Sequence, residues 1–177
     1  SASTYIGGSY YDYSNSITVD NLGNVYITSA TLSTDYPTTT GSYQVSIAGQ
    51  QDSYVSKFNS DLTTLMASTY IGGSTSNDQA MFVKVNSSGD VYITGQTFSS
   101  NFPTTAGAYH TSNGGGDFDG YISMFNSNLT NLLASTYLGG SGSDLAYSIV
   151  FDNSGDLYLA GFTTSSNYPS TSGAYKA

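Results

Sequence analysis

Apolar side chains in this chain recur two positions apart in short runs: Ile17 and Val19, Val83 and Val85, Ile149 and Phe151. That spacing puts each pair on one face of a β-strand. Each run enters a turn, Asp20-Asn-Leu-Gly23-Asn24, Asn86-Ser-Ser-Gly89-Asp90 or Asp152-Asn-Ser-Gly155-Asp156. Glycine stands where a short hairpin often needs a left-handed residue, so Gly23, Gly89 and Gly155 are expected at positive φ. A second strand follows as Val25-Tyr26-Ile27, Val91-Tyr92-Ile93 and Leu157-Tyr158-Leu159. Its outer aliphatic pair faces one neighbouring sheet and its central tyrosine the other. The aliphatic pairs of both strands, from Ile17 and Val19 through to Leu157 and Leu159, are therefore expected to be buried between sheets.

A Ser/Thr-rich loop comes next, with an aromatic-Pro step and a Gly-small-Tyr step: Tyr36-Pro37 with Tyr43, Phe102-Pro103 with Tyr109, and Tyr168-Pro169 with Tyr175. Strand three reads Ser53 to Phe58 and Gly120 to Phe125, and a second turn leads to strand four, which ends in STYIGG. The whole pattern repeats. Asp12, Asp78 and Asp144 are spaced by 66, as are Pro37, Pro103 and Pro169, and an inserted residue near 110–118 shifts the later matches to 67, as for Tyr54 and Tyr121. Four antiparallel strands per repeat describe the blades of an all-β propeller, because a sandwich or up-and-down barrel needs no four-strand period. The expected division is 1–11 as an orphan outer strand and junction, 12–77 as blade 1, 78–143 as blade 2 and 144–177 as half of blade 3.

Composition narrows the function classes. The chain of 177 residues carries three Lys+Arg against twelve Asp+Glu, a formal charge of -9, and no Cys or Trp. Every acid is Asp and every base is Lys. A basic face for nucleic-acid phosphates cannot be assembled from Lys57, Lys84 and Lys176. No stretch is long and apolar enough for membrane insertion as a helix. Thiolate metal sites and disulfides are excluded by the lack of cysteine, and the polar, lysine-poor surface suggests a secreted or cell-surface location.

The string STYIGG, an Asp shortly after Gly-Gly-Ser, the hairpin V-D-x-x-G-N-V-Y-I, the aromatic-Pro-Thr-Thr loop and the strand ending F-N-S resemble the bacterial β-propeller repeat family often called seven-bladed β-propeller repeats. The hairpin is also similar to that of NHL-type propellers. This resemblance implies a propeller in an extracellular or surface protein and supplies no established catalytic residues.

Candidate sites are sparse. Asp20, Asp90, Asp152 and Asp156 lie in the hairpin turns, where capping of tight turns competes with calcium binding. Asp12, Asp78 and Asp144 sit at the junctions between repeats, and Asp117 and Asp119 form the least regular acidic pair; calcium is the one cofactor considered, and none is otherwise expected. His110, the single histidine, holds the place of Gln44 in the first repeat, and with no Glu or Cys beside it no catalytic set forms, so the chain is not expected to be an enzyme. Tyr36, Phe102 and Tyr168, flanked by Asp35, Asn101 and Asn167, can either stack on sugars, which would make glycans a partner, or plug their loops onto the sheet.

The function expected is a non-catalytic extracellular structural module, a surface, matrix or filament component, with a lectin or adhesin as the alternative. Its main partner would be itself in a head-to-tail homo-oligomer or filament, or further repeats of a longer chain. Propellers close with typically about four to eight blades, more than the repeats seen here. Thr4, Tyr5 and Ile6 are expected to act as an outer strand for a half-blade presenting Leu157, Tyr158 and Leu159, with strand three of that blade left to be supplied.

Overall fold

The computed structural model describes residues 1–176, which form ten strands and no helix. Blade 1 contains β1 (Ser16–Val19), β2 (Val25–Thr31), β3 (Asp52–Phe58) and β4 (Leu65–Ile71). Blade 2 contains β5 (Asp78–Val85), β6 (Val91–Thr97), β7 (Asp119–Phe125) and β8 (Leu132–Leu138). The half-blade is β9 (Asp144–Phe151) with β10 (Leu157–Thr163). Each four-stranded sheet is an antiparallel meander in chain order.

The hairpins form for the reason that the turn residues suggest. Gly23, Gly89 and Gly155 have φ of 82°, 88° and 88°. Asp20 Oδ1 accepts from the amides of Leu22 and Asn24, both at 2.9 Å, and Asn86 and Asp152 cap their turns in the same way. The carboxylates of Asp20 and Asp152 are held below the usual range; amide donors stabilise the charged form, and at Asp20 they outweigh its partial burial.

Register decides what each face buries. Ile17 pairs with Ile27 and Val19 with Val25, so one face of blade 1 carries these aliphatics together with Tyr54 and Tyr70. The opposite face carries Tyr26, Val55, Ala67 and Ile71. This tyrosine face of blade 1 packs on the aliphatic face of blade 2, and Tyr26, Val55, Ala67 and Ile71 share one core with Val83, Val91, Ile93, Phe125 and Leu129. Blade 2 offers its own tyrosine face to the half-blade, where Tyr92 meets Phe151 edge-on at 5.0 Å.

Burial of the aliphatic pairs depends on having a blade in front. Val83, Val91 and Ile93 are fully buried and Ile149 nearly so, but Ile17 and Val19 are 68 % and 62 % exposed. The expectation that this first pair is buried is corrected: among the described residues no blade lies before blade 1. Val25, Ile27, Leu157 and Leu159 are half-buried for related reasons, since blade 1 has one packed face and β10 has an open edge.

Residues 1–7 form no strand, and Tyr5 is 96 % exposed. A fourth strand pairs with a third, as β4 does with β3, and among the described residues no third strand lies beside this segment. Ile6 instead rests on the cluster of Tyr36, Tyr54 and Tyr70, while Thr4 stays in solvent.

Candidate functional site

The aromatic-Pro loops are built into the blades. The ring of Tyr36 lies 4.3 Å from that of Tyr54 and 6.0 Å from that of Tyr70; Phe102 repeats this with Tyr121 at 4.3 Å and Tyr137 at 6.1 Å. Both plug residues are only 3 % exposed. Ser68 and Ser135 hydroxyls donate to the carbonyls of Pro37 and Pro103 at 2.6 Å, locking the bends to strand four. Tyr168, beside which no third or fourth strand lies among the described residues, is the more open of the three at 38 % exposed.

The polar residues beside these rings are likewise engaged. Asp35 Oδ1 accepts the Ser9 amide at 2.8 Å, Asn101 Oδ1 the Ser74 amide at 3.0 Å and Asn167 Oδ1 the Ser141 amide at 2.8 Å. Each therefore pins the junction loop that enters its own blade. Stacking of a sugar needs a bare aromatic face beside free polar groups. Tyr36 and Phe102 offer no such face, and Asp35 Oδ1 and the side-chain carbonyls of Asn101 and Asn167 are already engaged.

The junction aspartates tie the Gly-Gly turn to the end of strand two. Asp12 accepts from the Gly8 amide at 2.8 Å and from the hydroxyls of Thr31 and Ser33. Asp78 accepts from Gly73 at 2.7 Å and Ser99 at 3.0 Å, and Asp144 from Gly140 at 2.8 Å and Ser165 at 2.7 Å. Burial, the largest cause, pushes the Asp78 carboxyl up to about 7, aided by Asp52 nearby. Asp52 and Asp119 open the third strands and are also raised by burial, against amide donors at Ala48 and Gly49 or at Gly114. Among the described residues no three metal-ligating side chains gather at one point.

His110 keeps the role its position implies. Its amide donates to the Thr136 hydroxyl at 2.9 Å and its carbonyl accepts from Tyr137, as Gln44 does with Thr69 and Tyr70. The loops 39–44 and 105–110 thereby cover the outer edges of β4 and β8, which would otherwise be open to strand pairing.

Sequence reasoning missed two left-handed corner residues, one of which, Leu129, joins the blades. Leu62 and Leu129 have φ of 57°, a left-handed conformation rarely taken by a leucine. Asn59 and Asn126 stabilise these corners by accepting two amides each. The one signal was the recurrence of Leu62 as Leu129 at the turn after strand three.

Blades with plugged loops, capped edges and face-to-face cores define a β-propeller repeat protein. A family model described as beta-propeller repeat matches residues 3–37 and 135–169, so the chain carries two recognised copies of that repeat, in agreement with the family its motifs resemble. The same motifs recur in the sequence at 68–103. No curated protein matches the chain.

Proposed function

We propose that this chain is a non-catalytic, extracellular structural repeat module, a component of a surface, matrix or filament, that extends by stacking one blade face on the next. The observation that carries this reading is the complementarity of its two outermost faces. Ile17 and Val19 of blade 1 lie in the open, and Val150 and Tyr158 on the far face of the half-blade are 54 % and 58 % exposed. Inside the chain the same two faces meet: Tyr26, the counterpart of Tyr158, is buried with Val83 and Val91, the counterparts of Ile17 and Val25. Stacking a further blade face in this way would repeat the two-strand part of an interface the chain already uses, the part made by β1 and β2 and their counterparts, and bury aliphatic surface worth about 25 cal/mol per Å². The contact is head-to-tail, so it generates a ring if the rotation closes and a filament if it does not.

The test is particle mass in solution across a concentration series, with imaging of any larger species. Stacking predicts discrete multiples or growing filaments, abolished by Ile17→Glu together with Tyr158→Glu. A particle that stays at the mass of one chain into the high micromolar range refutes end-to-end stacking of copies.

A further inference from the structure

Two aspartates approach each other at each junction between blades: one opens a third strand and the other opens the next blade. Asp52 and Asp78 do so between blades 1 and 2, and Asp119 and Asp144 between blade 2 and the half-blade. All four side chains are buried. They differ in what satisfies them.

Asp52 is fully engaged. Its Oδ2 accepts from Gln44 Nε2 at 2.7 Å and from the Ala48 amide at 2.8 Å, and its Oδ1 accepts from the Gly49 amide at 3.1 Å. Gln44 closes that place by also accepting the Gly72 amide, at 3.2 Å. At the next junction His110 stands in the position of Gln44, and its ring stacks on Tyr109 at 4.4 Å instead. Asp119 Oδ2 accepts from the Gly114 amide at 2.6 Å, while Asp119 Oδ1 and Asp144 Oδ1 are buried with no hydrogen-bond partner among the described residues.

The free oxygen of Asp119 is aimed at the second carboxylate. A Cβ on Gly139 would collide with both Asp119 Oδ1 and Asp144 Oδ2, so the two groups converge on the bare face of that glycine. Burial pushes the Asp119 carboxyl up and the charge of Asp144 adds to it, against the Gly114 amide; the Gly115 amide is near without making a hydrogen bond. Two carboxylates this close inside a protein repel each other unless something positive stands between them.

We infer that Asp119 and Asp144 together hold one hard divalent cation, calcium by its chemistry, beside Gly139 at the junction of blade 2 and the half-blade. Calcium takes about six to eight oxygen ligands at about 2.3–2.6 Å in irregular geometry, so two carboxylates completed by backbone carbonyls and water suffice without a third acidic side chain. The ion would tie the start of β7 to the start of β9. The junction between blades 1 and 2 is no second site, because the Gln44 amide already occupies the equivalent place. This inference goes beyond the stacking reading and does not depend on it.

The test is calorimetric titration of the chelator-treated full chain with calcium chloride. One saturable site is expected, with a dissociation constant of about 0.1–1 mM as in extracellular calcium modules, and calcium should raise the thermal midpoint. Asp119→Asn keeps the shape, removes the charge and should weaken binding about tenfold or more. His110→Gln places an amide where Gln44 stands and should also weaken binding while leaving both carboxylates in place. Asp152→Asn, in an exposed hairpin turn, should leave it unchanged. Absence of a saturable site, binding indifferent to both Asp119→Asn and His110→Gln, or equal loss with Asp152→Asn overturns the site. If Asp119→Asn fails to fold, His110→Gln carries the test alone.

Discussion

The amide of Tyr43 donates to the carbonyl of Leu129 at 2.9 Å, joining the plug loop of blade 1 to the corner after the third strand of blade 2. Leu129 reaches this position only in a left-handed conformation, which costs a residue with a Cβ roughly 1–2 kcal/mol. Its side chain is fully buried, and burial of a leucine, about 1.5–3 kcal/mol, offsets that cost. A glycine would relieve the backbone and leave the joint between blades unfilled.

Leu129→Ala is accordingly expected to destabilise the chain by about 2–5 kcal/mol, through lost burial and a residual cavity. Leu62→Ala should cost distinctly less, because Leu62 occupies the same corner half-exposed, with no blade in front of it. Urea unfolding of the two variants makes the comparison; equal losses would show that the corner, and not the joint, carries the energy.

Two glycine substitutions separate strain from collision. Gly89→Ala should cost on the order of 1 kcal/mol, since the added Cβ would meet only Ser127 Cβ at 3.6 Å and the penalty is the left-handed backbone. Gly95→Ala should be far worse, because its Cβ would lie 2.0 Å from the Gln79 carbonyl at the bulge between β5 and β6. Thermal midpoints of the two variants check the order.

Phe102→Ala should lower stability by about 3–5 kcal/mol, as expected for a ring removed from a packed cluster. Tyr168→Ala should change it little, because that ring lacks its two aromatic neighbours. Comparable losses at both positions, measured by chemical denaturation, would contradict the plug role.

Stability should fall as pH rises from near 4 towards 7. Asp78 has its folded value raised from 3.8 to about 7, so the folded chain binds the proton more tightly than the unfolded one. That contribution is complete below the unfolded value and is lost as pH climbs through the folded one. Asp52 and Asp119, also raised by burial, act in the same direction. Melting at a series of pH values should place the highest midpoint on the acid side of neutrality, and a flat profile from pH 4 to 7 would refute the burial effect at Asp78.

Much of this architecture was legible in the one-dimensional pattern because its causes are local. Alternation at Val83 and Val85 sets a face, Gly89 permits a turn, Asn86 caps it, and the recurrence of Asp12, Asp78 and Asp144 marks the junctions. The family resemblance rests on those same short motifs.

What the tertiary structure decided is which faces have a partner. Ile17 and Val83 are equivalent by sequence, yet one is open and the other buried, because burial belongs to the sheet in front and not to the residue. β4, which takes in residues 68–71 of STYIGG, has no counterpart at residues 3–6 for a similar reason: a strand exists only against a neighbour whose backbone can pair with it. Tyr36 and Phe102 could be read as sugar platforms or as plugs until the rings of Tyr54, Tyr70, Tyr121 and Tyr137 closed around them. Leu129 in the left-handed region is the extreme case, since no local preference of leucine favours it, and only the space waiting in the adjoining blade does.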